Sequence, residues 1–167
     1  MIPTRQRIFI GKDVHKFSSA HMTVFPDGSK ERLHGHNFQV NVAFDILSLE
    51  LQDLLDFGIV KRELTLLCSA WDQRLILAER CPHLTVLRRD AAEVEFRLCG
   101  KRYLVPADEV MFLPLTNIVV ETLAFQFAQD LVARLGTLLR REVVQGMEVS
   151  ITESHGQGGT YYWTWPA

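Results

Sequence analysis

From Asn37 to Ile46 the chain alternates with period two: Phe38, Val40, Val42 and Phe44 fall on one side, and Asn37, Gln39, Asn41 and Ala43 on the other. That pattern is useful only to a strand with one buried face, so residues 37–46 are expected to be such a strand. Directly before it stand His34, Gly35 and His36. In extended backbone, residues two apart point the same way, and Gly35 adds no bulk between the imidazoles. Two rings so placed converge on one ion, and His21, on a preceding strand paired with this one, would supply a third. Three neutral imidazoles suit zinc and leave one tetrahedral position for water or substrate, which is a catalytic rather than a structural layout. By spacing alone, His-x-His reads more simply as a solvated pair, since neither a Cys pair nor His-x-x-x-His accompanies it.

The rest of the chain supplies the frame. Residues 6–18 read as a strand. From Ile59 the period changes: Leu64, Leu67, Cys68 and Trp71 fall at helical spacing and predict a helix ending near Asp72. Residues 93–98 and 101–105 flank Cys99-Gly100 as a hairpin, and Pro106 and Pro114 bracket a connecting segment. A second helix, capped by Thr116 or Asn117, carries Val120, Ala124, Phe127, Leu131, Leu135 and Leu138 on its stripe. Strands near 146–153 and 159–165 close the chain. These elements predict an α+β architecture, a four-stranded antiparallel sheet with both helices on one face. With 167 residues and 47% hydrophobic content, one core and one domain spanning 1–167 are expected. The exposed edges of such a sheet give oligomerisation a physical motive.

Charge and composition exclude several classes. A net charge of −2 supplies no basic stripe for nucleic acid or an anionic membrane. The stretch from Met1 to Lys16 is interrupted by Arg5, Arg7, Lys12 and Asp13, so it has no signal-peptide core, and no apolar run approaches membrane-spanning length. Cys68, Cys81 and Cys99 are odd in number and form no close pair, which fits reduced thiols in the cytoplasm.

Phe17-Ser-Ser-Ala-His21, Glu31-Arg-Leu-His-Gly-His-Asn-Phe38, Asp56-Phe57-Gly58 and a late-strand Glu153 together resemble the 6-pyruvoyl-tetrahydropterin synthase family, which includes the carboxytetrahydropterin synthases. The resemblance runs from about Phe17 to the C-terminus. It implies the tunnelling fold, in which subunit sheets join edge to edge into a barrel and trimers stack into hexamers, with active sites between subunits. It also implies that His21, His34 and His36 are the zinc ligands.

Members that make pyruvoyl or carboxy pterins carry a cysteine base shortly before the His-Gly-His, whereas this chain has Gly28-Ser-Lys-Glu-Arg-Leu33 there. The resemblance therefore points to the branch with a glutamate three residues before the first histidine. That branch cleaves the side chain of 7,8-dihydroneopterin triphosphate to 6-hydroxymethyl-7,8-dihydropterin, in folate or another pterin cofactor pathway. Glu31 would be the base. Glu153 would anchor the pterin, since a carboxylate accepts in parallel from the 2-amino group and the ring N–H beside it. Glu121 matches a family glutamate at the start of the second helix, and equally suits a helix N-terminus on dipole grounds. The family's Leu-Asp-His after the first helix is Trp71-Asp72-Gln73 here; Asp72 keeps the catalytic position, but Gln73 cannot shuttle protons. Ile118-Val119 replaces two family hydroxyl residues in the pterin pocket. His15, His83 and His155 read as surface residues, and Arg88-Arg89 and Lys101-Arg102 as solvated pairs. Two alternatives stay open: a 6-pyruvoyl- or 6-carboxytetrahydropterin synthase, and a pterin- or metal-binding protein without catalysis.

Overall fold

The computed structural model describes residues 6–48 and 50–166; residues 1–5 of the N-terminal stretch analysed above lie outside them. The described residues form ten strands and two α-helices: β1 (Gln6–Ile10), β2 (Lys16–His21), β3 (His34–Ile46), α1 (Phe57–Trp71), β4 (Arg74–Ala78), β5 (Leu84–Arg89), β6 (Glu93–Leu98), β7 (Lys101–Pro106), β8 (Val110–Leu113), α2 (Val120–Leu135), β9 (Val144–Ser154) and β10 (Gln157–Thr164). The main sheet runs β10-β9-β3-β2-β4-β8, with β1 also on β3, and β5-β6-β7 form a second, three-stranded sheet.

β3 is the axis of this arrangement. One edge pairs with β9 over Gln39 to Ile46, and the other takes β2 over His34 to Gln39 and β1 over Val42 to Ile46. The single strand expected over 6–18 is thus two. The chain breaks pairing at residues 11–15, where His15 N–H donates to Lys12 O at 2.8 Å and His15 O accepts from Val40 N–H at 2.8 Å. The turn folds His15 inward to 1% exposure, so it is not the surface residue its polar neighbours predict, while His83 and His155 are exposed.

The sheet is antiparallel from β10 to β2, as expected, and larger than four strands. β4 and β8 extend it through the parallel pairings β2–β4 and β4–β8. Arg74–Ala78 is buried at four consecutive positions, as strands between parallel neighbours are, so it carries no alternation to betray it.

Both helices lie on one face, α1 against β2 and α2, and α2 against β9 and β10. Asp56 caps α1, its Oδ1 accepting from Gly58 N–H at 2.7 Å and Ile59 N–H at 3.1 Å. Val60, Leu64, Leu67, Cys68 and Trp71 form its buried stripe. The corresponding stripe of α2 is Leu123, Ala124, Phe127, Ala128, Leu131 and Leu135. An aromatic cluster joins sheet to helices: Phe17 stacks on Phe38 with centroids 4.9 Å apart and meets Trp71 at 5.4 Å, and Trp71 meets Phe127 at 5.2 Å. Neither Thr116 nor Asn117 caps α2. Val119 is the N-cap residue, and the Asn117 side chain instead clips the loop after β2, exchanging hydrogen bonds with Val24 N–H at 3.0 Å and Val24 O at 2.8 Å. Among the described residues no helix is long and apolar enough to cross a membrane.

Candidate metal centre

The alternation that buries Phe38, Val40, Val42 and Phe44 continues four residues further back, because β3 begins at His34. His34 and His36 therefore share a face with those core residues, at the end where the first turn of α2 lines the cleft. His21 lies directly across from His34 in the β2–β3 register. Gly35 lets the two strands lie this close, since a Cβ there would meet Ser19 O at 3.0 Å. The three ring centroids are 4.6, 5.3 and 4.9 Å apart. One donor atom from each ring lies within 4.8 Å of the other two, close enough for one ion.

The hydrogen bonds of the rings fit a metal. His34 Nδ1 faces Arg32 O at 2.8 Å and His21 Nδ1 faces Ile118 O at 3.4 Å, contacts that hold the proton on Nδ1 and leave Nε2 a free lone pair. His21 Nε2 is buried without a hydrogen-bond partner. A buried nitrogen left so is costly unless something coordinates it. Burial, followed by the charges of His34 and His36, pulls the His21 pKa below the usual imidazole value, which keeps the ring in its ligating form.

Carboxylates ring the trio. Glu31 Oε2 lies 3.9 Å from His34 Nε2, and Glu153 Oε2 lies 3.9 Å from His36 Nε2. Partial burial by itself would raise the Glu31 pKa, but the hydrogen bonds at Thr23 and the facing imidazoles of His34 and His21 outweigh it, and the carboxyl is held below the usual range. Thr23 N–H reaches Glu31 Oε2 at 3.3 Å. Glu153 is mostly buried and accepts from Gln157 Nε2.

These groups line one open cleft of about 400 Å³, whose wall also includes Thr23, Val119, Glu121, Gln157 and Gly158. Glu121 enters from the first turn of α2. Gly159 allows that helix start to lie against β10: a Cβ there would sit 2.7 Å from Val120 Cγ2 and 2.8 Å from Glu121 N.

Of the seven residues named from the sequence, the cleft thus brings together His21, His34, His36, Glu31, Glu121 and Glu153. Asp72 is elsewhere. It follows α1, with Oδ1 accepting from Ser18 N–H at 2.7 Å, while Gln73 lines a separate hollow beside Asn37 and Arg74. Of the pair replacing the family hydroxyls, only Val119 lines the cleft. Ile118 is buried, and its carbonyl serves His21 and the Thr23 hydroxyl. Thr23 and Gln157, which hold the two carboxylates, were not singled out from the sequence; neither sits in a motif that gives a signal.

The sequence model of the family described as "6-pyruvoyl tetrahydropterin synthase" matches residues 10–163. A protein of Methanocaldococcus jannaschii named "Putative 6-carboxy-5,6,7,8-tetrahydropterin synthase" is 33% identical over 147 residues, covering 87% of this chain and 88% of that one. Among solved structures, the 6-pyruvoyl tetrahydropterin synthase of Plasmodium vivax superposes with a TM-score of 0.88 at 21% identity, covering 97% of this chain and 99% of that one. A variant of it, with alanine for a glutamate described as a catalytic residue, gives a TM-score of 0.88 at 20% identity and the same coverage. The shared architecture is the tunnelling fold.

Proposed function

Since the chain belongs to the 6-pyruvoyl tetrahydropterin synthase family, we propose that it is a zinc-dependent lyase that cleaves the side chain of 7,8-dihydroneopterin triphosphate, or of a close relative, to 6-hydroxymethyl-7,8-dihydropterin. The observation that carries this reading is the placement of Glu31, a carboxylate rather than a thiol, beside three converging imidazoles. Held by His21, His34 and His36, zinc would supply Lewis acidity to the side-chain hydroxyls.

Glu31 then acts as the base. Its lowered pKa keeps it ionised, and its oxygen lies 3.9 Å from His34 Nε2 in the cleft that the three imidazoles share. Removing the proton from the hydroxyl on the second side-chain carbon starts a retro-aldol step. The bond between the first and second side-chain carbons breaks, and its electron pair passes into the dihydropterin ring. The second carbon leaves as an aldehyde bearing the triphosphate, and a proton returns to the first carbon to give the hydroxymethyl group. Glu153, mostly buried beside His36, is suited to receive the two parallel N–H groups of the pterin. Glu121 lines the same wall. The glutamate described as catalytic in the Plasmodium vivax variant supports a carboxylate in the base role.

Asp72 faces away from this cleft within one chain. A catalytic part for it is compatible with an assembly in which a neighbouring copy presents its own Asp72, and a homotrimer or hexamer closing the sheet edges is part of the proposal.

A second reading, 6-carboxytetrahydropterin synthase, is favoured by the name of the archaeal relative. The two separate in one assay. Zinc-loaded protein is incubated with dihydroneopterin triphosphate and the products are resolved by chromatography. The lyase gives 6-hydroxymethyl-7,8-dihydropterin, and a carboxylated pterin in its place overturns that reading. Pterin binding without any product would mark a protein that has lost catalysis. Glu31→Ala is expected to lower turnover by about 10²- to 10⁴-fold, the usual worth of a positioned base, with zinc still bound. Full activity in that variant would remove Glu31 from the mechanism.

A further inference from the structure

Between β8 and α2 the chain runs past the metal cleft, lending it Val119 as wall but no ligand. One carbonyl of this segment, that of Ile118, faces two groups of the site: His21 Nδ1 lies 3.4 Å from it, and the Thr23 hydroxyl donates to it at 3.1 Å. Thr23 in turn brackets Glu31, its N–H reaching Oε2 at 3.3 Å and its carbonyl accepting from Glu31 N–H at 2.9 Å. Ile118 belongs to neither a strand nor a helix, so no regular ladder fixes this carbonyl. Its aim depends on its neighbours.

Asn117 sets that aim. Its Oδ1 accepts from Ile118 N–H and from Val24 N–H, both at 3.0 Å, while Nδ2 donates to Val24 O at 2.8 Å. A primary amide presents an acceptor and a donor on one planar head, so it engages both backbone groups of Val24 at once; a carboxylate lacks the donor, and alanine lacks both. On the other side Thr122 Oγ1 donates to Asn117 O at 2.9 Å and accepts from Val119 N–H at 3.2 Å. The Ile118 peptide is thereby clamped from both ends, and its carbonyl is left to the His21 ring and the Thr23 hydroxyl.

We propose that Asn117 is a positioning residue for the metal centre: by fixing Ile118 O it holds the proton of His21 on Nδ1 and turns the unpartnered Nε2 toward His34 and His36. The inference rests on the trio's binding a metal, and not on which substrate that metal serves. The same clip keeps Thr23 where it braces Glu31, so one side chain sets both a ligand and the base while, among the described residues, it hydrogen-bonds to neither. A residue that only braced the loop would act differently: its loss would lower stability and leave the site of the folded chain unchanged.

Two measurements on the full-length chain separate these roles. The first needs no metal. Two-bond proton–nitrogen correlation spectra, recorded on the metal-free protein above the pH at which imidazoles protonate, report which ring nitrogen of His21 carries the proton. The Nδ1–H form is expected in the unsubstituted chain, and a mixture of tautomers in Asn117→Ala. In the second, zinc is titrated against a chromophoric chelator under conditions where urea unfolding shows each chain to be folded. Asn117→Ala is expected to weaken zinc binding by roughly 10- to 100-fold, the usual cost of losing an outer contact to a ligand. Asn117→Asp keeps the Oδ1 contacts and lacks the Nδ2 donor, and is expected to weaken it by roughly fivefold, the worth of one neutral hydrogen bond. Asp45→Asn, at the other end of β3, is the control for lost stability and should leave zinc affinity unchanged. An unaltered tautomer and unaltered zinc affinity in both Asn117 variants overturn the positioning role. Should Asn117→Ala not fold, Asn117→Asp decides alone. An unsubstituted chain that takes up no zinc overturns the metal reading instead, and the tautomer spectra still decide whether Asn117 sets the His21 ring.

Discussion

The two ends of β3 obey one period and meet opposite fates. At its C-terminal end the strand is held on both edges, by β1 and β9, and its one buried acid is fully engaged: Asp45 accepts from Arg7 Nε at 2.9 Å and from the Tyr162 hydroxyl, while Arg7 also reaches Glu148 at 2.9 Å. At its N-terminal end β9 has stopped pairing at Gln39 and only β2 remains. There the helix-side positions hold His34 and His36 in place of the Phe and Val further along, and His21 Nε2 opposite them has no partner. Polar groups at the closed end satisfy one another, whereas at the open end a buried ring nitrogen is left without a partner within the chain. That contrast separates a structural network from a site more sharply than residue type does, because both ends are built of charged and polar side chains.

His36→Ala breaks the open end alone. It removes one of the three proposed ligands from a strand whose core positions stay filled, so zinc affinity is expected to fall by more than about 100-fold, beyond what loss of a supporting outer contact costs. Denaturant midpoints of the metal-free chains should stay close. Zinc titration against a chromophoric chelator measures the first, and urea unfolding the second. Unchanged zinc affinity would end the assignment of the trio as a metal centre.

Asp45→Asn breaks the closed end alone. The substitution removes the charge that Arg7 and Tyr162 share, at a position 2% exposed, and is expected to cost about 2 kcal/mol, typical of hydrogen bonds to a charged partner. Zinc affinity of the folded protein should not change. A loss of metal with intact stability would show that the two ends are coupled, contrary to the separation argued here.

What could be read in the sequence divides along the same line. Period two in β3, period 3.6 in α1 and α2, and the hairpin turned by Cys99 and Gly100, both at positive φ, were all legible, because each rests on spacing within one segment. β4 and β8 were not. The first is buried throughout, so it lacks alternation, and the second, Val110–Leu113, is four residues between two prolines. The α2 cap was misread because Asn117 serves a tertiary contact, the clip to Val24, which local capping statistics do not weigh. The convergence of three histidines was legible from His34 and His36 with an upstream His21, while Thr23 and Gln157 were invisible, since their contacts exist only once Glu31 and Glu153 have been brought in from elsewhere.

His15 sharpens the comparison at the smallest scale, because it supplies a second buried imidazole nitrogen, Nδ1, with no hydrogen-bond partner. Unlike His21 it belongs to no group of converging metal-ligating side chains among the described residues, and the charges acting on it are the cations of Lys12 and Lys61. Burial, followed by those two cations, pulls its pKa below the usual imidazole value. The sign follows from which state binds the proton. Above the unfolded value of about 6.5 both states are neutral and His15 adds no pH dependence. As the pH falls below that value the unfolded chain takes up a proton that the folded chain refuses, and stability declines until the folded pKa is reached. The slope from this one group cannot exceed about 1.4 kcal/mol per pH unit. Urea unfolding from pH 7.5 down through 6.5 should show the decline, and His15→Phe, compared with the unsubstituted chain under the same metal conditions, should flatten it by up to one proton. An unaltered slope in that variant would place the titrating group elsewhere, and the two orphaned nitrogens would no longer differ in the way their surroundings imply.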